Sequence, residues 1–320
     1  MLLNNFIFSL NVVLPVFLVL LVGYFLRHII NDSTIGRFNW IVFNCALPLM
    51  LFRDISGSDF ATVIDIKLIL FVIVSTLILF ALISLCIPMI KSVKPEEEGA
   101  FIQGAFRGNY AIVGLPIIAN ILGDSQTGKA AMITTFTVPL YNVLSVLILT
   151  IKSNDKEKDK KTLSNIYKAV LNIARNPLII GIAAGVPFSV FHKPLPLFLT
   201  EAVNSLAGLG TPLALLSIGA SINMGQIRNK FKPAAIAAAI KLIIAPLTFV
   251  PIAILIGLNG ENLVIVYVLL AVPTAVSSYI MASQMGNDSV LAANIVLISV
   301  LGSLVTFTVG IFWLRMIGVI

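Results

Sequence analysis

The 320-residue chain is 58% hydrophobic, has a mean hydropathy of +1.04 and contains only 11% charged residues. Soluble domains are about half apolar and about a quarter charged, so this composition excludes a water-soluble enzyme, a disordered chain and a secreted disulfide scaffold. The formal charge of +7 comes from basic residues beside hydrophobic runs, which is typical of membrane orientation and not of nucleic-acid binding. The sequence therefore predicts an all-α polytopic membrane protein that contacts the lipid bilayer and no nucleic acid.

Apolar runs separated by charged or turn-forming clusters predict ten membrane-spanning helices, because about 20 apolar residues cross a bilayer. In chain order the predicted spans are Phe6–Ile29, Phe38–Ile55, Leu68–Ile90, Glu98–Leu122, Ala130–Ile151, Pro177–Phe191, Phe198–Ile222, Ala234–Ile256, Leu263–Met285 and Val290–Met316. Lys and Arg are concentrated on one side of these spans, which predicts a multi-pass protein of the cell (inner) membrane with both termini outside. The charged stretch 152–162 would then be a cytoplasmic linker. It precedes an amphipathic stripe formed by Leu163, Ile166, Val170 and Ile173.

Short matches relate the two halves of the chain at a constant offset. Pro48-Leu49 is matched by Pro212-Leu213, and Asp124-Ser125 by Asp288-Ser289, in both cases 164 residues later. Each half holds five spans, an odd number, so the second half must enter the membrane from the opposite side. Such inverted five-helix repeats are found in many secondary transporters. The resulting domains are residues 1–151, the linker 152–162 and residues 163–320.

Helix-disturbing residues interrupt the fourth and the ninth span. Asn109 of the segment Arg107-Gly108-Asn109 lies about 16 Å along the helix from one end and about 21 Å from the other, near the bilayer midplane. Pro273 takes the equivalent position in the ninth span. An interrupted helix in lipid needs protein or a wet cavity to satisfy its backbone, and half-helix N-termini attract anions. The pattern predicts an anion site at the two breaks, although Pro273 could also act only as a kink.

Polar residues inside the spans are candidates for substrate contact. Arg107 at a helix centre costs about 2.5–3.5 kcal/mol, so it needs a bound carboxylate, backbone carbonyls or a neighbouring acid. Lys241 is expected to extend to the cytoplasmic surface. Asparagines within spans could contact substrate or form interhelical hydrogen bonds. The candidate substrate-binding residues are Arg107, Gly108, Asn109, Pro273, Thr274, Ser277, Ser278, Asn44 and Asn142.

The sequence lacks the residues and motifs that several other functions require. No Asp or Glu lies near the middle of a predicted span, which disfavours a sodium–proton antiporter. The phosphate-binding loop of ATP-driven pumps and the motifs of zinc and serine hydrolases are absent as well. His28 and His192 have no metal-ligating neighbours in sequence. We therefore expect no enzyme, no catalytic residue, no metal and no cofactor.

Five segments resemble the bacterial auxin efflux carrier family, which is distantly related to the plant PIN carriers. They are Asn44–Pro48, Phe106–Pro116, Asn176-Pro177, Leu213–Ser221 and Ala271–Pro273. The resemblance implies ten spans in two inverted repeats, usually a homodimer, with spans four and nine broken and crossing beside the substrate. It further implies that spans three to five and eight to ten form a bundle that slides against a scaffold of the others. By position, Gly108-Asn109 and Pro273 would form the crossing beside Arg107, although the PIN-type pattern has proline where this sequence has Gly108.

These features predict a secondary transporter, a permease of small organic anions such as the dicarboxylates malate and malonate. It would work by alternating access to a midplane site. Two alternatives stay open. One is a sodium-coupled organic-anion symporter of bile-acid-symporter-like fold, in which Asn109, Thr274 and Ser278 would coordinate the cation. The other is a membrane sensor that binds its ligand without transporting it.

Overall fold

The computed structural model describes residues 2–57, 65–123, 127–153, 171, 174–191, 195–221, 224–316 and 318. These residues form helices and turns without a β-strand. The helices are α1 Leu2–Phe25, α2 Asp32–Ile41, α3 Leu47–Ser56, α4 Ile66–Cys86, α5 Glu98–Phe106, α6 Leu115–Leu122, α7 Thr127–Ile151, α8 Pro177–Val190, α9 Leu197–Gly208, α10 Gly210–Ser221, α11 Met224–Ala239, α12 Ala245–Leu255, α13 Gly260–Ala271, α14 Ser277–Gln284 and α15 Ser289–Met316. Beyond Ser153, the predicted linker lies outside the described residues, as do Asp124-Ser125 and the stripe residues Leu163, Ile166, Val170 and Ile173.

The lengths and compositions of the helices suit a membrane. Among the described residues, six helices are long and apolar enough to cross a bilayer, and four shorter apolar helices accompany them. The second span begins six residues earlier than predicted, at Asp32, because the Asn31 side chain caps α2 by accepting the Thr34 N–H at 2.9 Å. Large apolar side chains remain exposed, for example Leu70 and Leu85 of α4, as expected of a lipid-facing surface.

Three helices contain one widened π-turn, each just before a proline. The turns are Val42–Ala46 between α2 and α3, Tyr110–Gly114 leading into α6, and Ile240–Ile244 between α11 and α12. The prolines that follow are Pro48, Pro116 and Pro246. Proline lacks an N–H and its ring clashes with the carbonyl four residues earlier, so the preceding turn widens. The extra residue of each turn rotates the side chains beyond it relative to a regular helix.

The helices pack as two groups. In the first group, α1 packs on α10 and α3 packs on α8, with α2 and α9 beside them. The second group contains α4–α7 and α11–α15, in which α5 and α11 both pack on α15. The groups meet where α1 contacts α15, α10 contacts α14 and α3 contacts α7. Both broken helices, α5–α6 and α13–α14, belong to the second group.

A polar cluster lies at each end of the second group. At one end, which we call the Asp65 end, Asn262 Nδ2 donates to Asp65 Oδ2 at 2.7 Å and Lys129 Nζ donates to Asn262 Oδ1 at 3.1 Å. These residues lie at or next to the first turns of α4, α13 and α7. The hydrogen bonds of this cluster therefore hold the beginnings of three helices together.

The opposite end, which we call the Glu97 end, has a cluster of ion pairs. Lys230 of α11 pairs with Glu97, just before α5, and with Asp288, just before α15, at 2.8 Å from the latter. Lys152, directly after α7, pairs with Glu98. This cluster joins the beginnings of α5 and α15 to α11 and to the end of α7, so each end of the second group is held by polar contacts.

Candidate functional site

The two broken helices cross at their breaks. After α5 and α13 end, the backbone turns extended, with φ −81° and ψ 122° at Arg107 and φ −61° and ψ 146° at Val272. The Asn109 N–H donates to the Pro273 carbonyl at 2.8 Å, and Gly108 pairs with Thr274 as an isolated antiparallel bridge. Both helices are therefore interrupted at the same residues that interrupt the apolar pattern of the sequence.

Protein donors satisfy the C-terminal ends of the first half-helices. Thr274 Oγ1 donates to the Gly104 carbonyl of α5 at 2.7 Å. Lys241 Nζ donates to the last carbonyls of α13, at 3.1 Å from Leu269 and 2.8 Å from Leu270. An ammonium at this end complements the negative pole of the helix dipole. The prediction that Lys241 extends to the surface is therefore wrong: its side chain is 0% exposed because its acceptors lie at the crossing.

The N-terminal ends of the second half-helices face a shared cavity. The π-turn before α6 begins at Tyr110 and α14 begins at Ser277. The cavity is lined by the first residues of both, Tyr110, Ala111, Val276 and Ser277 among them. The first N–H groups of a helix have no acceptor within it and carry the positive pole of its dipole. Two such poles therefore converge on one space.

This cavity lies between the two helix groups and has a volume of about 540 Å³. The first group contributes Arg53 and Asp54 of α3 and Thr211 of α10, and the second contributes α7 and the crossing. Lining residues next to the Asp65 end, Gly57 and Gly128, are exposed. The cavity therefore extends from the crossing and opens at the Asp65 end.

Arg107 places a buried positive charge at the deep end of the cavity. Its side chain is 5% exposed. Nη2 donates to Asn142 Oδ1 at 3.0 Å and to Ser277 Oγ at 2.8 Å, while Nη1 points to Ser145 Oγ at 3.4 Å and to Met281 Sδ. All four partners are neutral, and Arg107 forms no ion pair within the described part of the chain. The guanidinium is held in position, but no acidic side chain among the described residues compensates its charge.

Asn109 adds a polar group beside this charge. Its side chain is 8% exposed and lines the cavity. The side-chain amide of Asn109 makes no hydrogen bond to any residue that the structure describes. A buried amide costs free energy unless it is hydrogen-bonded, so this one is suited to a ligand or to water in the cavity.

The cavity brings together some of the predicted site residues and not others. Those that line it are Arg107, Gly108, Asn109, Asn142 and Ser277. Pro273, Thr274 and Ser278 lie at the crossing but outside the lining, and Thr274 and Ser278 are fully buried there. Asn44 is also outside, because its Nδ2 donates to the Trp40 carbonyl of its own helix at 3.0 Å.

Sequence reasoning missed several residues of the site. Arg53 and Asp54 lie at its mouth, where the sequence suggested only charges at a span end. Tyr141 lines the cavity and packs edge-on against Phe106, with ring centroids 5.9 Å apart. Its position next to Asn142 was the available signal. Among the described residues, no three His, Cys, Asp or Glu side chains are grouped as a metal site requires.

Comparison with known proteins assigns the chain to a group of transporters. The family model described as "Membrane transport protein" matches residues 8–311. An "Uncharacterized transporter" of Methanothermobacter thermautotrophicus is 23% identical over 94% of this chain and 97% of that protein. A protein of Rhizobium meliloti named "Putative malonate transporter" is 25% identical over 95% of each chain. The "Uncharacterized transporter YfdV" of Escherichia coli is 24% identical over 97% of this chain and 99% of that protein.

Proposed function

The chain belongs to the membrane transport protein family, the auxin efflux carrier family that its motifs resemble, and from this premise we propose that it is a secondary transporter of small organic anions. The relative from Rhizobium meliloti is named a "Putative malonate transporter". We propose that the present chain also transports a small carboxylate of this kind. The role is transport and not catalysis.

The observation that carries the proposal is the uncompensated charge of Arg107 beside two half-helix N-termini. A charge taken out of water without a counter-ion costs several kcal/mol. A carboxylate in the cavity would compensate this charge and could accept hydrogen bonds from Asn109 and from the backbone N–H groups of Tyr110 and Ser277. Hydrogen-bond donors and a positive charge therefore line this part of the cavity, so an anion fits it better than a cation.

Alternating access would follow from movement of one helix group against the other. The cavity lies between the groups and is open at the Asp65 end. If the second group slid along the first, it would carry the crossing toward the Glu97 end and open the site there. With both termini outside, as the distribution of Lys and Arg predicts, the Asp65 end is the outer face.

Two inverted five-helix repeats, 1–151 and 163–320, would explain the similar clusters at the two ends of the second group. In such a repeat, α4 is equivalent to α11, α5 to α13 and α7 to α15. The cluster of Asp65, Lys129 and Asn262 is then equivalent to the cluster of Lys230, Asp288 and Glu97. The offset of 164 residues supports the same correspondence. We extend the proposal to ten spans, a homodimer and the inner membrane, as the family resemblance implies.

Uptake by purified protein in liposomes tests the proposal. We expect uptake of labelled malonate, and the Arg107→Gln variant should lose about tenfold or more, because a hydrogen bond to a charged group contributes about 1.5–3 kcal/mol. Arg228→Gln, a change of an exposed arginine on α11, is the matched control and should transport normally. Equal uptake by the two variants would reject Arg107 as the anion-binding group.

The same liposomes decide between transport and its alternatives. A sensor would bind malonate without any flux. A sodium-coupled symporter would lose uptake when choline replaces sodium. We expect uptake to persist in choline, because Thr274 donates to the protein's own Gly104 and a lysine ammonium already occupies the end of α13.

A further inference from the structure

The charges that line the cavity limit the charge of the ligand it can hold. Three lining residues are charged: Arg53, Asp54 and Arg107. Arg53 and Asp54 neutralise each other, since Nε and Nη2 of Arg53 donate to Asp54 Oδ1 at 3.0 and 2.9 Å. Lys241 does not line the cavity, and its ammonium is bound to carbonyl groups. The described lining therefore presents a single net positive charge, that of Arg107.

The rest of the lining offers neutral polar groups. Asn109, Asn142 and Ser277 surround the guanidinium, and the lining toward the mouth contains Thr134 and Thr211. A neutral carboxyl group can donate a hydrogen bond to such side chains. Both half-helix N-termini lie with Arg107 at the crossing, so an ionised second carboxylate further toward the mouth would have no counter-ion, and an uncompensated buried charge is strongly disfavoured.

From this charge balance, and resting on the proposed function, we infer that the site binds its substrate as a monoanion. A monocarboxylate satisfies this directly, and a dicarboxylate would enter as its singly protonated form. Its ionised carboxylate would compensate Arg107, and its protonated carboxyl would face the neutral part of the cavity. The proton would then travel on the substrate, which explains how a chain without a central acid could move a dicarboxylate together with a proton.

Binding measurements on the purified protein at several pH values test the inference. Malonate and its monoamide, malonamate, have similar shapes, but malonamate keeps one negative charge over the neutral range. We expect the affinity for malonate to fall about tenfold per pH unit above its second ionisation, as the monoanion becomes scarce. The affinity for malonamate should stay constant, which controls for any pH effect on the protein.

A variant sharpens the test. Asp54→Asn removes the partner of Arg53 and gives the cavity a second net positive charge, so malonate should now bind as a dianion. We expect its affinity to change less than threefold per pH unit in this variant. Asp32→Asn, at an exposed position at the start of α2, should keep the tenfold dependence.

The outcomes are distinct. Malonate binding that is constant or tighter at higher pH, together with weak malonamate binding, would show that the dianion binds and would overturn the inference while leaving the proposed function intact. Failure of both compounds to bind at any pH would reject the proposed substrate class, and the inference with it.

Discussion

The ammonium of Lys241 lies 2.8 Å from the carbonyl oxygen of Leu270, the second-last residue of a helix that stops in the middle of the protein. The Lys241 side chain is fully buried, and the Leu269 carbonyl is its second acceptor. A helix that ends inside a membrane leaves carbonyl groups without N–H partners. The chain therefore supplies its own cation to one of the two helix ends that meet at the crossing.

Lys241→Met tests the importance of this contact for stability. The substitution keeps the length of the side chain but leaves two buried carbonyls without their donor, at a cost of about 1–3 kcal/mol each. We expect the midpoint of thermal unfolding in detergent to fall by about 5 °C or more. Lys232→Met, at an exposed position of the same helix, is the control. If both variants melt together, the Lys241 contact does not stabilise the crossing.

Gly108 lies where the two crossing segments pair with each other. A Cβ atom at this position would lie 2.6 Å from Val272 Cγ2 and 3.0 Å from Lys241 Nζ. We expect Gly108→Ala to destabilise the protein by about 1–3 kcal/mol through overpacking, and to reduce malonate uptake because the crossing must shift. Gly128→Ala, at another glycine of the cavity lining, has no atom within 4 Å of its new Cβ and should be neutral or slightly stabilising. Similar melting and uptake in both variants would contradict this.

The breaks themselves could be predicted from sequence because their signal is local. A proline or an Arg-Gly-Asn segment within an apolar run disturbs a helix wherever the helix lies. The structure accordingly interrupts the fourth and ninth spans next to Asn109 and at Pro273. The side chains around the breaks were harder to assign, because a helical face must be known before a residue can be placed on it.

Lys241, whose surroundings were predicted wrongly, and Asn44, which lies outside the cavity lining, are both in π-turns. A π-turn adds a residue to the helical repeat, so the apolar periodicity no longer tells which face a side chain occupies. The only local signal is the proline that follows each turn, Pro48 and Pro246. The Arg53–Asp54 pair at the cavity mouth could not have been placed either, since it depends on contacts between distant helices.

Asp65 should make stability depend on pH at the Asp65 end of the second group. Burial alone raises the pKa of this carboxyl, but hydrogen bonds from the Leu68 N–H and Asn262, with the charges of Lys129 and Lys67, together lower it from its ordinary value. A carboxyl whose pKa is lower in the folded state stabilises the protein at pH values above its unfolded pKa, about 3.9. This contribution is lost as the pH falls through the folded pKa.

The variant that isolates this effect is Asp65→Asn, because asparagine still caps the beginning of α4. We expect it to unfold about 1 kcal/mol more easily than the parent protein at pH 6, with the difference shrinking below about pH 4 and vanishing once the pH has fallen through the folded pKa. Denaturation curves at each pH measure it, and Asp32→Asn serves as the control. A difference that persists unchanged in acid would show that the charge of Asp65 is not responsible.

Asn39 connects the two helix groups on the side where the cavity is closed. Its Nδ2 donates to the Tyr279 hydroxyl at 3.3 Å and to Ser283 Oγ at 3.2 Å, and its side chain is 2% exposed. Asn39 belongs to α2 of the first group, whereas its partners belong to α14 of the second. If the second group slides to open the Glu97 end, these hydrogen bonds must break. We therefore expect Asn39→Ala to favour the state that is open at that end.

A buried reporter can detect this shift. Ser217 is fully buried on α10, which packs against α1 and α2 of its own group and against α14 of the other, and we expect a Ser217→Cys substitution to react faster with thiol reagents when the groups separate. Loss of about 1 kcal/mol of hydrogen bonding raises the population of the minor state about fivefold, and the labelling rate should rise equally.

The native cysteines are first replaced by alanine. Asn44→Ala, which removes a hydrogen bond within one helix only, should leave the rate unchanged. Equal labelling rates with Asn39→Ala and Asn44→Ala would mean that the Asn39 contact does not hold the Glu97 end closed.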